Sequence, residues 1–199
     1  MNPELNESLA RFTERYTIGQ IPWDDVLPPP EVQDLAAALP PGAALDLGCG
    51  YGRTAIYLAQ RGWQVHGVDF VPQAVAGANL RAQAADVANS AHFYVGSVAD
   101  LDFLSGLYDL AIDVGCMHSL SEPMLQAYRD ELWRLLRPGA LYLLFAHLRD
   151  ETAEEESYRW INEAFLRQLF VDFTLERCEL GVTVVNENRW RSGWFWYRR

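Results

Sequence analysis

Apolar positions along this 199-residue chain follow two patterns that alternate. Short, nearly continuous apolar runs are separated by segments whose apolar residues recur every three to four positions, the signatures of buried strands and of one-sided helices. Residues 1–21 are mostly polar, with Leu5, Leu9 and Phe12 at helical spacing. Pro28-Pro29-Pro30 stops any helix there, because each ring removes a backbone donor. Pro30 is placed to open the next helix, 31–39, which Pro40-Pro41-Gly42 closes. Strands are then predicted at 43–47, 64–68, 92–95, 110–114 and 141–146, with helices at 54–61, 72–85 and 123–136 between them. The pattern further predicts a helix over 154–170, with Trp160, Ile161, Phe165 and Leu169 on one face. Strands at 173–178 and 193–197 finish the chain, and 182–185 reads as a further short strand or a hairpin arm.

Strands that alternate with helices demand a mostly parallel sheet covered on both faces, an α/β doubly wound, Rossmann-like fold. The two late strands have no helix between them, so an antiparallel pairing is expected. Neither repeats nor a second domain is visible; residues 1–30 read as an arm or lid and 31–199 as a single domain.

The densest chemistry follows the first strand, in Asp46-Leu47-Gly48-Cys49-Gly50-Tyr51-Gly52-Arg53. Glycines there let the backbone turn sharply and approach a ligand, and the following helix start offers unpaired N–H groups. The spacing is acid-x-Gly-x-Gly-x-Gly, which differs from the Gly-x-Gly-x-x-Gly of dinucleotide binders. This segment resembles motif I of the class I S-adenosylmethionine-dependent methyltransferases, and the likeness in strand and motif order extends over about residues 30–147. Tyr16, Ile18-Gly19-Gln20 and Pro22-Trp23-Asp24 are similar to the N-terminal arm of small-molecule members related to the thiopurine and tellurite-resistance enzymes. The resemblance implies a seven-stranded sheet of order 3-2-1-4-5-7-6 with one antiparallel strand. It also implies S-adenosylmethionine as cofactor, S-adenosylhomocysteine as product and a small-molecule acceptor.

Residue by residue, the resemblance gives the loop of Gly48, Cys49, Gly50 and Gly52 to the methionine part of the cofactor, with Asp46 near its ammonium group. Asp69, after the second strand, is an acceptor for two ribose hydroxyls; from its position alone it also reads as a helix cap. Phe70 packs on adenine or in the core. Ser97 stands where the family usually has Asp, and Val98 offers a backbone N–H to adenine; Asp100 is the alternative acid. Asp113 matches the strand-end acid beside the methyl group. His118 is the candidate catalytic residue, as a proton acceptor or a substrate contact, with a structural role equally open. Trp23 or Tyr16 contacts the sulfonium by cation–π attraction or anchors the arm.

Composition narrows the field. The net charge of −11 opposes nucleic acid and anionic membranes, and no apolar run reaches the length of a membrane span. The polar N-terminus does not resemble a signal peptide, so a cytoplasmic location is expected, as a monomer or homodimer. Cys49, Cys116 and Cys178 are widely spaced, which predicts neither a disulfide framework nor a metal site. The chain has no lysine, which excludes Schiff-base chemistry. Two other function classes fit the same features: a nicotinamide-dependent oxidoreductase, and a cofactor-binding fold that serves protein interaction without catalysis.

Overall fold

The computed structural model describes residues 3–149, 161–185 and 188–199. The arm begins with α1 (Pro3–Thr17). Next comes α2 (Pro30–Ala38), where Pro30 occupies the first turn and loses no intrahelical bond, and Glu31 sits against the positive end of the helix. The βα alternation that follows is β1 (Ala43–Leu47), α3 (Arg53–Ala59), β2 (Gln64–Asp69), α4 (Pro72–Ala84) and β3 (Ala91–Val95). Beyond it lie β4 (Tyr108–Val114), a single 3₁₀ turn at Met117–Ser119, α5 (Glu122–Leu135), β5 (Leu136–His147), α6 (Glu163–Leu169), β6 (Thr174–Val185) and β7 (Asn188–Arg198).

The seven strands form one sheet in the order β3-β2-β1-β4-β5-β7-β6. β1 through β5 pair parallel, and β7 runs antiparallel to both β5 and β6. The reversal of strand order lies between β1 and β4, where the carboxyl ends of parallel strands splay apart and leave a crevice. One face of the sheet is sealed by α5 and α6. Leu125, Tyr128, Leu132 and Leu135 of α5 recur at helical spacing and are all buried against Tyr142, Leu144 and Tyr197. The other face is packed by α2, α3 and α4, whose Val32, Ala55, Leu58, Ala78 and Ala82 lie on Val65, Leu110, Ile112 and Leu143. The small residues Ala74, Ala78 and Ala82 are buried along α4, which lets this helix sit close to the strands.

Two expectations from the sequence change. Residues 154–160 of the expected long helix lie outside the described residues, and α6 itself starts only at Glu163. Asn162 caps it by accepting the Phe165 N–H at 2.7 Å, and Ile161 pairs with Leu148 as an isolated β-bridge, so neither residue belongs to the helix. Second, β5 begins at Leu136, directly after α5, because Leu136 adopts an extended conformation and pairs with Tyr108. Of the two readings of 182–185, the structure shows the hairpin arm: it is the far end of β6, paired antiparallel with β7. Among the described residues no helix is long and apolar enough to cross a membrane.

Candidate active site

The loops after β1, β2 and β4 meet at the crevice, and backbone hydrogen bonds lock the first two together. Gly48 and Cys49 both donate to the Val68 carbonyl, at 2.8 and 3.0 Å. Gly48 has a left-handed φ of 70°, and a Cβ there would lie 2.5 Å from Cys116 Cβ, so the β1 and β4 loops approach this closely only because the residue is glycine. Gly50, with φ 54°, faces Tyr16 in the same way: an added Cβ would come within 3.0 Å of the tyrosine hydroxyl. Gly52 is the left-handed residue from which α3 starts.

Three acids stand at the carboxyl ends of these strands, all buried. Asp46 accepts the Ala55 N–H at 3.1 Å, in the first turn of α3. Burial pushes its carboxyl up to about 7, opposed first by that hydrogen bond and then by Arg53; neighbouring Asp113 and Asp69 add to the rise. Asp69 accepts from Gly50 N and Val71 N, each at 2.9 Å, and so ties the glycine loop to the start of α4. Its carboxyl is also raised by burial, with both hydrogen bonds opposing. Asp113 is fully buried and accepts from Cys116 N, Met117 N and the Tyr128 hydroxyl at 2.6, 3.0 and 2.8 Å. Burial raises it to about 6 against those bonds. Through these bonds the carboxylate of Asp113 shapes the β4 turn that carries His118.

His118 is also buried. Its Nδ1 lies 3.1 Å from the His147 backbone N–H and accepts from it. A neutral imidazole that accepts at Nδ1 carries its proton on Nε2. In this arrangement His118 is a hydrogen-bond donor at Nε2, and its basic nitrogen is already engaged.

The arm covers the crevice. Phe12 meets Trp23 and Phe70 edge-on, with ring centres 5.8 and 5.6 Å apart, and Tyr16 meets Tyr51 at 5.0 Å. Tyr16 is buried, and its phenol is raised first by burial and then by the charge of Asp69. Asp24 holds Arg81 of α4 through two bonds of 2.8 and 2.6 Å, which fastens the segment after Trp23 to the domain. What remains beneath is a cavity of about 40 Å³, lined by Trp23, Asp46, Gly48, Cys49, Gly50, Thr54 and Val114 among others. A larger concavity of about 480 Å³ lies to one side, between residues 24–27 and α3; it shares only Asp24 and Arg53 with the glycine-loop cavity and holds none of the three acids.

Of the adenine-side candidates, Phe70 lies under Phe12, Val98 is buried, and Ser97 uses its hydroxyl oxygen to accept the Ala99 N–H at 3.2 Å. Asp100 is exposed. Tyr128 was not singled out from the sequence; a tyrosine among the apolar positions of α5, one turn from Leu125 and Leu132, is the only local sign that it faces inward toward a buried acid. Tyr51, Arg53 and Thr54 also line the glycine-loop cavity.

A model of the methyltransferase domain matches residues 44–139, from β1 through the start of β5. The chain is similar to the 2-heptyl-1-hydroxyquinolin-4(1H)-one methyltransferase of Mycobacteroides abscessus, 32% identical over 124 residues, which are 62% of this chain and 54% of that protein. Among solved structures it resembles the Burkholderia thailandensis 1,6-didemethyltoxoflavin-N1-methyltransferase at a TM-score of 0.76, with 22% identity over 100% of this chain and 91% of that one. It also resembles a protein from the conversion of a disulfide bond into a thioacetal group during echinomycin biosynthesis, at a TM-score of 0.74 and 28% identity, covering 89% and 84% of the two chains. The methyltransferase-domain match covers just under half of the chain, and the sheet around it has the strand order that the resemblance to class I S-adenosylmethionine-dependent methyltransferases implies. The chain spans about half the length of the curated relatives it matches.

Proposed function

We propose that the chain transfers a methyl group from S-adenosylmethionine to a small-molecule acceptor. The observation that carries this reading is the cavity at the glycine loop, where a buried acid, a left-handed glycine turn and an aromatic arm converge. The donor set fits the cofactor. Asp46, whose carboxylate is costly to hold charged in isolation, gains a counter-charge from an ammonium group. Asp69 keeps the second lone pairs of both oxygens for ribose hydroxyls while its first pairs hold Gly50 and Val71. The present 40 Å³ is too small for the whole molecule, so residues 1–30 act as a lid that lifts to admit it and packs back over it. Ser97, Val98 and Phe70 then border the adenine, and Trp23 faces the sulfonium side.

Bound there, the cofactor supplies a methyl group already activated by its sulfonium: the acceptor's lone pair forms the new bond, and the C–S bonding pair returns to sulfur. The chain's own task is to hold the acceptor in line and to exclude water. Gly115 and Cys116 form the β4 loop wall, Asp113 fixes the shape of that wall, and His118 beside it is the candidate contact for the acceptor heteroatom. A proton on that heteroatom leaves to solvent, since the basic nitrogen of His118 is engaged. We further propose a cytoplasmic monomer or homodimer with no nucleic-acid partner, a reading supported by the net charge of −11. The likeness to the 2-heptyl-1-hydroxyquinolin-4(1H)-one methyltransferase supports the acceptor class. The test is a pair of variants: Asp69→Ala is expected to weaken S-adenosylhomocysteine binding by more than Asp100→Ala. Equal losses would remove Asp69 from the ribose contact and with it the proposed orientation of the cofactor.

A further inference from the structure

The sheet ends at β3, and its bonding pattern fixes which backbone groups of that strand face outward. Val65 N donates to the Ser90 carbonyl at 2.7 Å, and Gly96 N to the Asp69 carbonyl at 3.1 Å. In a parallel ladder the N–H and C=O of one residue point to the same side, and the side alternates along the strand. His92 and Tyr94 therefore turn their main-chain groups toward β2, and Ala91, Phe93 and Val95 turn theirs to the open edge. One outward donor is already used: Ala91 N donates to the Val87 carbonyl at 2.9 Å. Two outward donors remain, on Phe93 and Val95. The connection from β3 to β4, residues 96–107, holds no helix or strand. On the face it leaves, His92 is exposed and Tyr94 half-buried, with Phe103 at 5.6 Å from the Tyr94 ring.

Exposed strand edges are commonly blunted by charge, proline or a bulge. Where β6 flanks the packed sheet, at the opposite edge, it carries Glu176, Arg177 and Glu179 and a register shift between Leu175 and Arg177. β3 has none of these. Ala91-His92-Phe93-Tyr94-Val95 holds no proline, acid, lysine or arginine, and its pairing with β2 has no register shift. Its flanks, Asn89, Ser90, Gly96 and Ser97, are uncharged as well, so two chains of net charge −11 can meet there without like charges opposed. β3 also stands four strands away from β5, on which the Leu148–Ile161 bridge lies. The strand is complementary to itself. A two-fold axis at Phe93 sets β3 antiparallel to its own copy, with Phe93 opposite Phe93, His92 opposite Tyr94 and Ala91 opposite Val95. This register pairs all five residues of β3 with all five of the copy. In each direction Phe93 N meets the Phe93 carbonyl and Val95 N meets the Ala91 carbonyl, so both remaining donors find acceptors. Ala91 N needs no partner in the copy, because Val87 holds it.

We propose that β3 is a docking edge for a second copy of this chain, paired antiparallel about a two-fold axis at Phe93 so that the two sheets become one. The inference does not depend on methyl transfer, and the crevice between β1 and β4 stays open, since β1 is two strands from the docking edge. Sedimentation velocity of the full chain at micromolar concentration should show a species of twice the mass of one chain. Oxidative cross-linking then reads the register. His92 of one copy and Tyr94 of the other form a non-hydrogen-bonded pair with Cα atoms about 4.5 Å apart, within reach of a disulfide. His92→Cys and Tyr94→Cys chains, mixed, equilibrated and oxidised, should give several-fold more disulfide dimer than either variant alone, because two copies of one variant set their new thiols two residues apart along the strands. Ala91→Cys mixed with Val95→Cys repeats the test in the same register with smaller changes to packing. The parent chain, with free Cys49, Cys116 and Cys178, gives the background, and urea unfolding shows that each variant is folded. A monomeric parent chain would overturn the proposal. So would a dimer in which neither mixture links above background, or in which a single variant links as well as the mixture.

Discussion

Asp46 ties the protonation of the site to its occupancy. In the folded chain its carboxyl is raised from 3.8 to about 7, mainly by burial. A carboxyl raised on folding makes the unfolded state the more acidic one, so ionisation costs stability progressively as pH rises from about 4 to about 7. Asp46→Asn keeps an acceptor for the Ala55 N–H and removes that cost, so its stability in urea should gain on the parent protein across this window and stay level above it. An ammonium group beside Asp46 draws the carboxyl back down. S-Adenosylhomocysteine affinity should accordingly rise with pH up to about 7, with proton release in the calorimeter, and Asp46→Asn should flatten that profile. Tyr128→Phe makes the complementary test on Asp113: it strips one partner from a buried acid, and urea unfolding should show a loss of about 1–3 kcal/mol. These two acids also show where sequence reading stops. Both end a strand and look alike in the sequence, yet the β4 turn supplies two N–H groups three and four residues beyond Asp113, while only one reaches Asp46. The proton position on His118 was invisible for a similar reason, because the amide that fixes it is 29 residues away.

At the scale of elements, the strands were legible wherever burial on both faces demanded an unbroken apolar run, as in β1 and β4. The β6–β7 hairpin was legible at its base, and at 182–185 only as one of two readings. Its outer half carries Leu180, Val182 and Val184, which remain exposed, so the alternation there has no buried face to confirm it. Periodicity also overran the true start of α6, because Ile161 falls in helical phase although it pairs as a strand; the capping side chain of Asn162 is what sets the boundary. Asn162→Ala should therefore cost about 1 kcal/mol in equilibrium unfolding, the usual loss of a helix cap. The arm is held differently, by the aromatic contacts of Phe12, Tyr16 and Trp23 and by the Asp24–Arg81 pair. Arg81 is nearly half exposed, and such pairs contribute at most about 1 kcal/mol. If the arm is the lid, Arg81→Leu should leave global stability nearly unchanged and speed release of bound S-adenosylhomocysteine in stopped-flow fluorescence. An unchanged release rate would assign the arm a static role.

The whole molecule joins the seven-stranded sheet to an aromatic N-terminal arm and to an aromatic edge on β5 and β7. The glycine loop was readable from its spacing, and the strand order only from the resemblance that loop carries; the aromatic edge was not readable, because Phe145, His147 and Trp194 come together only through antiparallel register between distant segments. The central claim is that the Asp46–Gly52 loop holds the amino-acid end of S-adenosylmethionine, and it separates most cleanly from a nicotinamide site by direct binding. Calorimetric titration of the chain with S-adenosylhomocysteine and, in parallel, with NAD is the decisive measurement. The account predicts saturable one-to-one binding of S-adenosylhomocysteine with a micromolar Kd and no heat from NAD. Binding of NAD, or no binding of S-adenosylhomocysteine, would contradict it.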